Sequence, residues 1–211
     1  MAKVRLALLL ALPLLLASCL LSPGRFVSTL DIRKDRSFTF TYVGEVLAAD
    51  MKMNDGKGGP SKPTPPTPEQ VAQYRAAADA LAKEQGYRAV DYVGGRTFRV
   101  DYAISGTLDR GFVYPINLDA MAIIPWIAAE VRKDGSVRVK APAFGDMSEG
   151  TPGAQAGGAS EGRSGTFTLT TDATLVMQNN EDGVASGPLT KVVWKVTPTS
   201  KTVPTAVIRF P

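Results

Sequence analysis

Phe26-Val27-Ser28-Thr29-Leu30-Asp31-Ile32 and, a few residues on, Phe38-Thr39-Phe40-Thr41-Tyr42-Val43 decide the fold. In the first run Phe26, Ser28, Leu30 and Ile32 alternate with Val27, Thr29 and Asp31; in the second Phe38, Phe40 and Tyr42 alternate with Thr39, Thr41 and Val43. A period of two, rich in β-branched and aromatic residues, puts successive side chains on opposite faces of a strand. Lys34-Asp35-Arg36-Ser37 between them has the composition of a tight turn, so the two strands should form an antiparallel hairpin.

The same chemistry returns a hundred residues later. Val131-Arg132-Lys133-Asp134-Gly135-Ser136-Val137-Arg138-Val139 repeats the turn and the alternation of Ile32-Arg33-Lys34-Asp35-Arg36-Ser37-Phe38-Thr39-Phe40. Gly135 takes a positive φ without steric penalty, as a type I turn with a G1 bulge requires; Arg36, in the matching place, is strained by it. Lys-Asp-Gly turns arise so readily that the repeat calls for convergence before duplication.

Between the hairpins, residues 50–66 carry Asn54-Asp55-Gly56-Lys57-Gly58-Gly59-Pro60 and Pro63-Thr64-Pro65-Pro66, a linker by composition. A helix is expected over 67–85, with Thr67 as N-cap, Pro68 at the first helical position, Gln70 closing a capping box and Gly86 as the stop. Val71, Tyr74, Ala78, Leu81 and Ala82 form its apolar stripe, which should pack on a sheet. Tyr87 to Val93 and Arg96 to Thr107 flank a Gly94-Gly95 turn, and Phe98, Val100, Tyr102 and Ile104 share one face. Trp126 to Arg132 and Ser136 to Ala141 make the second hairpin. Residues 145–165, rich in Gly, Ser and Ala, read as a flexible excursion before strands at 166–171, 173–178, 189–197 and 205–210. The expected class is α+β: a predominantly antiparallel sheet with one principal helix packed on it, in a single domain over 25–211.

The start of the chain carries an address. Lys3 and Arg5 form a positive n-region, residues 6–16 an apolar run of 11, and Leu16-Ala17-Ser18-Cys19 ends it with small residues. Eleven residues containing Pro13 are too few for a membrane span, which needs about 20. Leu16-Ala17-Ser18-Cys19 resembles the lipobox of bacterial lipoproteins. The resemblance implies a signal peptide over 1–18, cleavage between Ser18 and Cys19, a diacylglyceryl group on the Cys19 thiol, a further acyl chain such as palmitate on the new amine, and a tether over 19–24. No second cysteine exists to offer a disulfide instead. Leu20, where the lipoprotein sorting rule puts an aspartate for inner-membrane retention, favours the periplasmic face of the outer membrane.

Without Lys3 and Arg5 the chain keeps 22 basic against 20 acidic side chains, interspersed, which offers nucleic acid no concentrated stripe. Arg25, Arg33, Lys34 and Arg36 gather near the anchor in sequence and invite a contact with anionic head groups; a solvated hairpin tip is the simpler reading. The chain has no histidine, so Ser-His-Asp and Cys-His arrangements are impossible and the preferred zinc ligands are missing. No phosphate or dinucleotide loop is present, and no cofactor or metal is indicated. Asp91 and Asp101, on paired strands, are the nearest candidates for a carboxylate pair, although cross-strand partners such as Arg88 explain them more simply. Asn179, Asn180, Glu181 and Asp182 offer hard oxygens without EF-hand spacing and read as a turn. Trp126 and Trp194 lie in strand-like runs and are expected in the core. The face of Phe38, Phe40 and Tyr42 with Phe98, Val100 and Tyr102 either fills that core or lines an apolar cavity.

Cys19-Leu20-Leu21-Ser22-Pro23-Gly24-Arg25-Phe26 into Phe38-Thr39-Phe40-Thr41-Tyr42-Val43-Gly44-Glu45, with Ala141-Pro142-Ala143-Phe144-Gly145, Thr170-Thr171-Asp172 and Trp194-Lys195-Val196, resembles a family of conserved Gram-negative lipoproteins with no assigned activity. Arg36 departs from the turn glycine of that pattern. The order of hairpin, helix and β-rich half is also similar to LppM-type lipoprotein domains, a likeness that implies lipid interaction by fold analogy alone. The expectation is a membrane-anchored, non-catalytic interaction or scaffold module of the cell envelope, with an envelope protein as partner. The alternative is a lipid or hydrophobic-ligand binding protein; a carboxylate-based hydrolase is a distant third.

Overall fold

The alternation around Leu30 and Phe40 yields the hairpin it predicts, and the strands run longer than the pattern alone suggests. In the computed structural model, which describes residues 21–48, 65–115, 125–145, 162–185 and 187–211, β1 spans Leu21–Ile32 and β2 Ser37–Ala48. Helix α1 (Pro68–Leu81) follows, then β3 (Tyr87–Gly94), β4 (Thr97–Thr107) and β5 (Phe112–Tyr114). The second half holds β6 (Ile127–Val131), β7 (Val137–Lys140), a 3₁₀ turn (Pro142–Phe144), β8 (Ser164–Thr171), β9 (Thr174–Gln178), β10 (Thr190–Val196) and β11 (Thr205–Arg209).

The strands form two sheets, six-stranded in the order β10-β8-β1-β2-β4-β3 and five-stranded in the order β5-β6-β7-β11-β9. The class is α+β, as expected, with one α-helix among the described residues, but the larger sheet is mixed. β1 pairs in parallel with β8, Arg25 opposite Ser164 through Ile32 opposite Thr171. Strands so far apart in sequence share no turn whose residues announce the pairing, and the parallel neighbour was invisible to a local reading.

Inward-facing residues of the two sheets meet as a layer of rings. Phe40, fully buried on β2, lies 4.9 Å from Tyr114 and 5.1 Å from Phe112 of the second sheet, ring centre to ring centre. Phe26 stacks on Phe144 at 4.3 Å, and Phe167 on Trp194 at 5.4 Å. Phe38, Phe40, Tyr42, Phe98, Val100 and Tyr102 are all buried, so this face is core over most of its length.

Thr67 caps α1 through the expected capping box, its hydroxyl accepting from Gln70 N–H at 3.3 Å while the Gln70 side chain accepts from Thr67 N–H at 2.9 Å. The helix ends at Leu81, earlier than residue 85. Gly86 serves another purpose than the stop: at φ +93° it passes against Tyr102, whose ring lies 2.5 Å from where a Cβ would stand. The helix buries Ala77 and Ala78 and sets Tyr74 5.6 Å from Tyr92 and 5.7 Å from Phe98. No helix among the described residues is long and apolar enough to cross a membrane.

Two poles result. At one, Leu21 pairs with Ala48, Ala48 N–H donates to Arg96 O, and the Trp126 indole donates to Leu21 O at 3.3 Å. Arg163, buried, donates to the carbonyls of Ala143 (2.9 Å), Gly145 (2.5 Å) and Ser200 (3.2 Å), and a Cβ on Gly162 would meet Leu47. Residues 50–64 of the expected linker lie outside the described residues. The expected tether over 19–24 is strand from Leu21 onward; of the expected excursion over 145–165, residues 146–161 lie outside the described residues, and β8 begins at Ser164. The Arg163 guanidinium fixes that start: three carbonyls converge on it, and composition weighted toward glycine and serine does not reveal such a staple.

At the far pole the turns close on one another. Both predicted hairpin turns have one geometry: Arg33 N–H to Ser37 O and Arg132 N–H to Ser136 O are each 2.8 Å, and Ser37 and Ser136 hydroxyls donate to Asp35 and Asp134 at 2.6 and 2.7 Å. Those hydrogen bonds hold the Asp35 and Asp134 carboxyls below the usual range. Arg36 does take a positive φ, 69°, beside 78° at Gly135. It also does something a glycine would not: its guanidinium donates to Gly135 O at 2.9 Å and lies 4.5 Å over the Phe210 ring.

Candidate functional site

The residue types that carry reactions are dispersed among the described residues, and Asp101 keeps one buried oxygen without a hydrogen-bond partner. Register places Arg99 opposite Asp91 and Ala89 opposite Asp101, so Asp91 and Asp101 do not form a pair. A bulge at Arg88, between Tyr87 and Ala89, shifts the partner expected from simple alternation. Asn179 Oδ1 accepts from the Trp194 indole (3.1 Å) and Thr205 N–H (2.9 Å), and its amide donates to Val203 O (2.8 Å). Asn180 donates to Val193 O at 2.6 Å and accepts from Asp182 N–H at 3.1 Å. These oxygens hold the β9–β10 turn to its neighbours. Among the described residues no group of three or more Asp, Glu, Cys or His side chains comes together. Cys19 lies outside the described residues.

The basic cluster also separates. Arg25, near the amino-terminal pole, forks onto Glu45 with its shortest contact at 2.5 Å, and that pairing holds the Glu45 carboxyl below its ordinary value. Arg33 pairs with Asp31, and Lys34 and Arg36 sit at the far turn. β1 carries the chain about 26 Å at strand rise from Arg25 to Arg33, so the two groups do not make one patch. Trp126 and Trp194 are both buried core residues.

What the structure adds is an apolar pocket of about 70 Å³ at the amino-terminal pole. Its floor is Val46, Ala48, Phe98 and Val100 of β2 and β4; Tyr74, Ala77 and Leu81 of α1 cover one side, and Leu21, Pro115 and Trp126 bound the other. Tyr87 and Tyr114 supply hydroxyls that hydrogen-bond each other. Burial pushes the Tyr87 hydroxyl up to about 12 and that of Tyr114 well above its normal range, so both stay neutral. Neighbouring Tyr42 and Tyr102 are raised for the same reason. Among the described residues no Asp, Glu, Lys or Arg lines the pocket. Its volume is well below the roughly 300–1,000 Å³ of small-molecule sites, enough for a few carbons unless α1 shifts. The strand pattern marked Phe98 and Val100 as one face; that the face stops being filled under α1 depends on the helix's small Ala77 and Ala78, which no periodicity distinguishes from ordinary core.

No family model matches the chain, and no curated protein matches it. Among solved structures it is similar to the NMR structure of the folded domain of the Mycobacterium tuberculosis LppM protein, at a TM-score of 0.35 and 14% identity, over 90% of this chain and 91% of that one. This is a remote structural similarity.

Proposed function

We propose that the protein is a membrane-anchored envelope lipoprotein, acylated on Cys19 and facing the periplasm from the outer membrane, whose domain works as a non-catalytic interaction module. The outer face of the six-stranded sheet supports this reading. Across it run rows of small β-branched side chains: Thr168, Thr29 and Thr41 in one, Thr166, Val27 and Val43 in the next. Val27 and Val43, direct partners, are 56% and 50% exposed. A face of short side chains loses little conformational entropy when a partner covers it. Fractionation with intact mass tests the anchor: wild type should carry diacylglyceryl on Cys19 and pellet with membranes, and Cys19→Ala should be soluble or uncleaved. A mature protein without the lipid mass contradicts it. Crosslinking at Val43→Cys in native membranes tests the face.

The apolar pocket favours a second reading, the binding of a hydrophobic ligand. Each buried CH₂ contributes about 0.8 kcal/mol, so an acyl chain admitted under α1 should survive purification. Native mass spectrometry of detergent-free protein from Leu20 onward, which keeps Leu21 in the pocket wall, decides it. Empty protein whose melting is unmoved by fatty acid or phospholipid leaves the first reading alone.

A further inference from the structure

On the lipoprotein reading above, the acylated residue lies two residues from the start of β1. Leu21 is locked in place by its pairing with Ala48 and by the Trp126 indole on its carbonyl. Only Leu20 separates it from Cys19. Two residues reach at most about 7 Å, fully extended. The head-group layer on each side of a bilayer is about 5–8 Å thick. A Cys19 acylated at that level therefore cannot hold the domain clear of the membrane.

We propose that the amino-terminal pole is a membrane-contact surface: the domain stands end-on upon the bilayer, with the mouth of the apolar pocket against the phospholipids and the far hairpin turns about 35 Å away. The chemistry of the two poles agrees with this orientation. The pocket at the anchored pole is walled by hydrocarbon and neutral tyrosines, and β3 brings the exposed Val93 to this pole one residue before its end at Gly94. The charged tips Lys34 and Lys133 belong to the far turns, where they remain in water. Lying on the larger sheet would press the exposed Lys191 and Lys195 of its edge strand β10 onto lipid. The partner is the bilayer itself, contacted through acyl chains at the pocket mouth.

The test uses the full acylated chain in vesicles of phosphatidylethanolamine and phosphatidylglycerol, with the Cys19 thiol capped by lipid. A fluorophore is placed by Val93→Cys in one sample and Lys34→Cys in another, and quenching by brominated phospholipid is compared. Quenching should be several-fold stronger at position 93 than at 34. A spacer of about ten Gly/Ser residues inserted after Leu20, with a root-mean-square reach near 17 Å, should lower it at 93 to the level at 34. Equal quenching at the two sites, or stronger quenching at 34, on protein whose Cys19 carries the lipid mass overturns the seating while the anchor stands. Quenching at 93 that survives the spacer supports it further, as independent affinity of the pole for lipid. An unmodified Cys19 overturns the anchor and the seating together.

Discussion

The two poles of this domain are built from the same strands and solve opposite problems. At the far pole the hairpin turns have tight, hydrogen-bonded geometry and lock into each other, Arg36 reaching Gly135 and Asp172 accepting from Lys34 N–H at 2.6 Å. At the amino-terminal pole the sheets are bridged by an indole, an arginine and one helix, and the core gives way to a pocket. The difference teaches that ring density is not uniform along a strand face. Phe40 is enclosed by Tyr102, Phe112 and Tyr114, whereas Phe98, on the same inner face of the sheet, looks into space beneath Ala77.

The largest expected effect separates the filled half from the pocket half. Phe40→Ala should cost about 3–5 kcal/mol, because rigid rings on all sides cannot collapse into the void. Leu81→Ala, at a half-buried helix position on the pocket wall, should cost well under half of that. Denaturant melts of the two variants compare them, and similar losses would mean that the pocket half is packed as densely as the rest.

Alkaline unfolding probes the tyrosines clustered around the pocket. Their hydroxyls titrate higher in the folded protein than the unfolded value near 10, so the stability they carry is fully present below about pH 10 and is lost as pH rises through the folded values, about 12 for Tyr87. Each such group should cost about 1.4 kcal/mol per pH unit in that window. Melts at rising pH, read beside tyrosinate absorbance, should show unfolding and ionisation together; ionisation within the native baseline would show these hydroxyls to be wet.

Filling experiments sharpen the contrast by sign. Ala129→Val inserts two carbons into the closed core, where Ala129 is 1% exposed, and should destabilise by about 1–3 kcal/mol. Ala77→Val inserts the same atoms beneath α1, where room exists, and should range from neutral to about 1 kcal/mol stabilising. Equal destabilisation in thermal melts would remove the pocket as a feature of the folded state.

The smallest effect belongs to the far turns. Arg36→Gly relieves a left-handed backbone worth about 1 kcal/mol but deletes the hydrogen bond to Gly135 and the stacking on Phe210, so the net change should stay within about 1 kcal/mol of zero. Gly135→Arg gains no such partner and should be plainly destabilising. A large loss from Arg36→Gly would make that side chain, rather than the turn backbone, the fastener of the far pole.

What the sequence disclosed follows from how local each cause is. Period-two alternation located most strands to within a few residues, the Thr67-Pro68-Gln70 box began the helix, and the positive φ of Arg36 was legible by analogy with Gly135. Non-local causes were hidden: the parallel β1–β8 pairing, the three-residue β5, the Arg163 staple inside a glycine-rich stretch, and the Leu21 start of β1 in residues that read as a tether. The pocket was legible only as an alternative to a filled core. Which of the two holds at each point depends on what the second sheet and α1 place opposite, and a strand's own periodicity does not contain that information.

The most direct measurement of the central claim is hydrogen exchange on the acylated protein, compared in bilayer nanodiscs and as lipid-free protein from Leu20 onward. Seating on the amino-terminal pole predicts slower exchange in nanodiscs at the Gly94-Gly95 turn and in the first turn of α1, with the Lys34-Asp35 and Asp134-Gly135 turns exchanging alike in both. Protection at the far turns, or none at either pole on protein shown to carry its lipid, would contradict it.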